Sequence, residues 1–140
     1  MNFVLDCSVA LTWFFESEAT QDSDALLDEL AGPGQAVVAQ HWRLEITNVL
    51  LGAERKKKKV AAQTTQFLAL LDKLAIESDP ETERYATSAT LTLGRKHQLT
   101  SYDAAYLELS IRRGLPLATL DSQLRKAARA EGISLLPVNY

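Results

Sequence analysis

The sequence predicts an α/β fold: a central, mainly parallel sheet with helices packed on both faces, in three layers. Three observations carry that expectation. Short apolar runs without polar alternation, Phe3-Val4-Leu5 and Ala36-Val37-Val38-Ala39, have the pattern of strands buried on both faces. Longer stretches with apolar residues at helical spacing lie between them. Gly114 and Gly132 stop two such stretches just ahead of further apolar runs, as where a helix turns back into a strand.

The elements follow in order. Asn2 to Leu5 is a short buried strand, and Ser8 is placed to cap a helix running to about Phe15. After a polar turn, Thr20 to Ala31 has helical spacing and is closed by Gly32-Pro33-Gly34, and Ala36 to Ala39 forms the second strand. His41 to about Lys57 is a helix whose apolar positions are Trp42, Leu44, Ile46, Val49 and Leu50. A basic break separates it from a helix over Val60 to Leu74, and Leu74 to Glu77 is a weak third strand. Pro80 to His97 is rich in helix formers, with Pro80 as a first helical position and Asp79 as its cap. A helix from Tyr102 to Arg113, a strand from Pro116 to Thr119, a helix from Ser122 to about Glu131 and a strand from Ile133 to Leu136 complete the chain. Alternation of this kind gives parallel strands joined by helical crossovers.

Composition narrows the function. The 140 residues, 46% of them hydrophobic, suit one domain with a real core, and there is no linker, repeat or low-complexity tract beyond the charge run Arg55 to Lys59. The net charge of −3 does not advertise nucleic-acid binding, so any such contact must use a local basic patch or a metal. A single cysteine, Cys7, excludes an intrachain disulfide framework and a cysteine zinc cluster, and fits a reducing, cytoplasmic compartment. The N-terminus carries no basic leader and the apolar stretch over residues 9–15 is too short to span a bilayer, so neither export nor membrane insertion is expected.

Four acids stand at the ends of these elements. Asp6 closes the first strand, Asp121 follows the strand from Pro116, Asp103 opens a helix, and Glu45 lies one turn into another. In a parallel sheet, residues that follow strands share the carboxyl rim, where α/β proteins place their chemistry. Acids at helix starts are also favoured by capping and by the helix dipole. Converging carboxylates repel and raise each other's pKa unless a hard, oxygen-seeking cation such as Mg²⁺ or Mn²⁺ neutralises them, so the cluster implies metal. A cation held by carboxylates orients and acidifies water for attack on a phosphodiester, which is nuclease or phosphatase chemistry.

The segments VLDCSVALTW (residues 4–13), WRLEITNVL (42–50), LTSYDAAYLEL (99–109) and LPLATLDSQL (115–124) resemble the PIN domain, specifically VapC-type toxins of toxin–antitoxin pairs. The likeness continues in the same order to GISLL (132–136) and covers essentially the whole chain. It implies an α/β/α sandwich around a parallel sheet and a Mg²⁺-dependent endoribonuclease, with Mn²⁺ as a substitute, silenced by a small antitoxin encoded beside it. Asp6, Glu45, Asp103 and Asp121 would then hold the metal, and a basic side chain of the antitoxin would enter the acid pocket and displace it. Cys7 stands where the family often has Ala or Thr, and Ala39 where it often has Pro; neither touches the acids.

Ser8 and Thr119 can either cap locally or hydrogen-bond a carboxylate or its water. Asn48 shares a helix face with Glu45 and, as a polar group there, is expected to orient it. His41, four residues before Glu45, is better suited to the surface or to capping than to general-base catalysis, and Cys7 to burial than to attack. Trp13, Phe14, Trp42, Tyr102 and Tyr106 have the spacing of core or dimer-interface aromatics, and some are assigned to a homodimer interface; stacking on bases is the other option. Two basic rims compete to guide RNA: Arg55 to Lys59, and Arg112, Arg113, Arg125 and Lys126. An aspartyl-phosphate phosphatase would need a second Asp two positions after the nucleophile, where Ser8 stands. An inactive PIN-like module that only binds RNA or protein would be marked by lost acids, and none is lost.

Overall fold

The computed structural model describes residues 1–140. Five strands, β1 (Asn2–Leu5), β2 (Gln35–Val38), β3 (Ile76–Ser78), β4 (Leu117–Ala118) and β5 (Leu135–Leu136), form one sheet in the order β3-β2-β1-β4-β5. Every pairing is parallel, in agreement with the apolar runs. Phe3, Val4, Leu5, Ala36, Val38, Leu117 and Ala118 are fully buried, which requires cover on both faces. The crossovers from β1 to β3 run one way along the sheet and those through β4 to β5 run the other. With right-handed crossovers the two sets of helices take opposite faces. Strand order therefore reverses beside β1, and the crevice at the carboxyl ends of β1 and β4 is the switch point of the fold.

The helices are α1 (Cys7–Ala10), α2 (Gln21–Ala31), α3 (Trp42–Arg55), α4 (Ala61–Asp72), α5 (Thr82–Tyr85), α6 (Leu91–His97), α7 (Ser101–Arg113) and α8 (Ser122–Ala130). Local chemistry sets their ends. Thr20 caps α2 through a reciprocal pair, its hydroxyl accepting from the Ser23 N–H at 3.1 Å while Ser23 Oγ accepts from the Thr20 N–H at 2.9 Å. Gly114 ends α7 at φ +64°, a left-handed conformation that glycine adopts without penalty.

Three expectations are corrected. The helix expected from Ser8 to Phe15 is only α1 followed by a 3-10 turn over Leu11–Trp13; Asp6, not Ser8, holds the cap position, and the Ser8 hydroxyl bonds elsewhere. The helix expected from Pro80 to His97 starts at Thr82 and is interrupted by a π turn over Ala86–Thr90. This stretch, ATSAT, lacks long side chains, and Ser88 and Thr92 hydrogen-bond back to the carbonyls of Tyr85 and Ser88, which loosens a helix. Asp79 does not serve as a simple helix cap: it is buried at the end of β3 and clasped by Arg112, with Nη2 2.6 Å from Oδ2 and Nη1 3.1 Å from Oδ1. Burial alone would raise its pKa, but the hydrogen bonds and charge of Arg112, aided by Arg113, hold it below the usual carboxylate value.

Candidate functional site

The parallel register of β1 and β4 pairs Leu5 with Ala118, so the residues that follow the two strands emerge side by side. Thr119 Oγ1 donates to Asp6 Oδ2 at 2.7 Å and Ser8 Oγ donates to the same oxygen at 2.8 Å. Ser8 Oγ in turn accepts from the Leu120 N–H, and Thr119 Oγ1 from the Asp121 N–H at 3.1 Å. Both hydroxyls thus support the acid, not the helix: the second of the two roles open to them. Asp6 is 4% exposed, and its pKa is raised, first by burial, against the lowering effect of Thr119, Ser8 and the Cys7 backbone, with the charge of Asp121 adding to the rise.

Glu45 reaches the rim from the first turn of α3, where the Tyr106 hydroxyl of α7 donates to its Oε1. Burial raises its pKa first; the Tyr106 bond pulls it down and the charge of Asp6 pushes it up. Asn48, expected to orient Glu45, is exposed and makes no hydrogen bond to it. Glu45 turns toward α7, away from its neighbour one turn along α3, so a tyrosine 61 residues distant takes that place. Asp103 lies in the first turn of α7, which Thr100 caps by accepting the Asp103 N–H at 3.2 Å. Burial, then the charges of Asp6, Asp121 and Glu45, raise Asp103 to about 6. All three other acids act on it, which brings the four into one field. Asp121 caps α8, its Oδ1 accepting from the Leu124 N–H at 2.9 Å.

As they stand, no three His, Cys, Asp or Glu side chains are close enough together to clasp an ion. Three of the four acids have found protein donors instead, Asp6 on Ser8 and Thr119, Asp121 on the end of α8 and Glu45 on Tyr106. The donor chemistry nonetheless fits a hard divalent cation, because every group is a carboxylate and no Lys or Arg pairs with any of them.

The surrounding residues sort themselves. His41 Nε2 lies 3.2 Å from the Tyr102 carbonyl and 3.5 Å from Glu45 Oε1, and burial lowers its pKa, which favours a neutral ring. Burial and the nearby acids push the Cys7 thiol up, away from nucleophilic use. Trp42, Phe14 and Tyr106 are core; Tyr102 is exposed. The second basic rim dissolves. Arg112 and Arg113 serve Asp79, and Arg125 is buried with its guanidinium donating to the carbonyls of Thr119 and Pro137 at 2.9 and 2.8 Å, leaving Lys126 exposed. The Arg55 to Lys59 run follows the C-terminal end of α3, with Lys59 over the Phe14 ring. Ten residues of helix put Arg55 about 15 Å from Glu45.

Residues 3–130 match the PIN domain family. No curated protein matches the chain in sequence. Among solved structures, PAE2754 from Pyrobaculum aerophilum superposes with a TM-score of 0.68 at 20% identity, over 98% of this chain and 93% of that one. VapBC2 from Rickettsia felis, bound to a DNA fragment from their promoter, gives 0.67 at 14% identity, over 96% of this chain and 97% of its own. These identities speak to the fold alone, and the family match, spanning nearly the whole sequence and all four rim acids, establishes that the chain belongs to the PIN domain family.

Proposed function

We propose that the chain is a metal-dependent endoribonuclease that hydrolyses RNA phosphodiester bonds, as the toxin of a toxin–antitoxin pair. The supporting observation is the acid field at the β1/β4 switch point: four carboxylates from four elements, three of them raised in pKa by burial and by one another, with no Lys or Arg to neutralise them. Asp6, Glu45, Asp103 and Asp121 would hold Mg²⁺, or Mn²⁺ in its place. Once bound, the cation supplies the Lewis acidity that lowers the pKa of an attacking water and stabilises charge on the leaving oxygen. The protein's share is positioning. Ser8 and Thr119 both bond Asp6 Oδ2 and leave Oδ1 free of side-chain donors; Tyr106 positions Glu45; Asp103, raised to about 6 and so mostly ionised at neutral pH, would complete the oxygen set.

The chain works as one PIN domain in the cytoplasm; no helix is long and apolar enough to cross a membrane. Exposed Leu51, Leu68 and Ile111 on helices supply surface for a homodimer and for the antitoxin that silences it. Cleavage of total cellular RNA by purified, antitoxin-free protein, with Mg²⁺, Mn²⁺ or chelator, tests the reading. Discrete fragments that require metal and vanish in Asp6→Asn are expected. Absence of both metal-dependent cutting and calorimetric binding of Mg²⁺ or Mn²⁺ would instead identify an inactive module that binds RNA or protein.

A further inference from the structure

We propose that a cavity beside the acid rim takes one base of the substrate RNA and that this base directs where the strand is cut. The inference rests on the ribonuclease reading and adds to it a site outside the four acids. A cavity of about 340 Å³ lies between the start of α3, the α5 and π-turn segment, and the start of α7. That is the low end of the roughly 300–1,000 Å³ range for small-molecule sites, enough for one base.

One of its lining residues, His41, reaches the acids, with Nε2 3.5 Å from Glu45 Oε1. Leu44 precedes Glu45 and Tyr102 precedes Asp103 in the chain, and the two, 74% and 59% exposed, both line the cavity. A flat aromatic and a leucine beside a phosphodiester centre offer the faces between which an unstacked base is held.

Polar groups for the base edge are present as well. Thr90 lies behind the cavity wall at 2% exposure, its hydroxyl buried, so the polar side chains open to a base edge are those of Gln40, His41, Glu83 and Ser101. His41 Nε2 faces the Tyr102 carbonyl, which can only accept, so Nε2 carries the proton and Nδ1 is left as an acceptor. The His41 ring meets Tyr102 and Tyr106 edge-on at 5.5 and 5.1 Å, and Tyr106 continues to Glu45, so the cavity wall and the acid rim share one packed column.

The π turn that interrupts the helical segment supplies Ala86 and Thr90 to this wall, and irregularities of that kind concentrate at functional sites. The α5 end of the same wall is tied to the start of α3 by the Gln40 N–H on Thr82 Oγ1 and the Glu83 N–H on Gln40 Oε1, both at 3.1 Å. The site is preformed.

The test uses the full chain, its Tyr102→Ala and Tyr102→Phe variants, and a pool of short random-sequence RNA whose cut ends are sequenced. Tyr102→Ala should lose roughly tenfold to a hundredfold on the preferred sequence, as for one base–aromatic stack, and flatten the preference beside the cut, while Tyr102→Phe keeps it. An equal fall on all sequences, or no change, overturns the proposal. In parallel, Asp103→Asn protein with RNA carrying 2-aminopurine should quench the probe only when Tyr102 is intact. Quenching that depends on Tyr102, together with no cutting by the chain whose Asp103 is intact, would keep the base site and remove the ribonuclease reading; quenching indifferent to Tyr102 removes the base site. Conversion of a dimer to monomer by Tyr102→Ala would assign this face to a second copy and also overturn it.

Discussion

Tyr106, in place of Asn48, holds Glu45, and one oxygen carries the consequence. The phenol favours the charged carboxylate, so Tyr106→Phe lets burial and the charge of Asp6 raise Glu45 further. The expected result is a roughly 10- to 100-fold loss of Mg²⁺ affinity by calorimetry, with a parallel fall in cleavage at neutral pH and little change in Asn48→Ala. The same logic applies to Thr119, whose hydroxyl donates to Asp6 and accepts from the Asp121 N–H. Thr119→Val should weaken metal binding by a similar factor and Thr119→Ser should restore it; identical behaviour of the two would show that the hydroxyl does nothing for Asp6.

Elements are held together by two arginines that the sequence suggested for RNA. Arg112 locks the end of β3 to α7 through Asp79 and Glu108, both buried. Arg112→Ala leaves two buried carboxylates without their main partner and should cost about 3–5 kcal/mol in urea unfolding. A far smaller loss would mean that Arg113 or water replaces it. Arg125 pins the segment after β5 onto α8 by bonds to the Thr119 and Pro137 carbonyls. Arg125→Met should therefore raise amide exchange around β4 and β5 while leaving α2 unaffected. Neither arginine is free to meet phosphate, whereas the exposed run after α3 is, so charge removal at Lys56, Lys57 and Lys58 should weaken RNA binding and flatten its salt dependence.

At the scale of the whole molecule, the acid rim sets a pH dependence with a definite sign. Asp6, Glu45 and Asp103 have folded-state pKa values above their ordinary ones, Asp103 at about 6, so the folded protein binds protons more tightly than the unfolded chain. Their effect is loss of stability as pH rises from about 4 through about 6. Asp79 and Glu131 are lowered and act oppositely, adding stability that is lost as pH falls through the acid range below about 4. Metal-free protein should thus melt highest in mildly acid buffer and lower at pH 7, where Mg²⁺ raises the melting temperature and Asp103→Asn does so without metal. A melting temperature that is flat between pH 5 and 7 in chelator would contradict this.

What could be read from the chain was whatever depends on near neighbours. Apolar runs marked β1 and β2, Gly32-Pro33-Gly34 and Gly114 marked the ends of α2 and α7, and the acids stood out because three follow a strand or open a helix and Glu45 lies one turn into another, positions that parallel topology gathers at one rim. The π turn escaped because a helical pattern of small residues does not reveal which carbonyls its hydroxyls will take. Partnerships across the fold escaped for a more general reason. Tyr106 meets Glu45 across 61 residues and Thr119 meets Asp6 across 113, and no periodicity encodes which of several polar side chains will arrive within 3 Å of another. By itself the sequence determined the parallel α/β architecture and the acids; only tertiary structure decided which hydroxyls hold those acids, that Arg112 and Arg125 are structural, and that Tyr102 faces a cavity, because burial and pairing are properties of the packed whole.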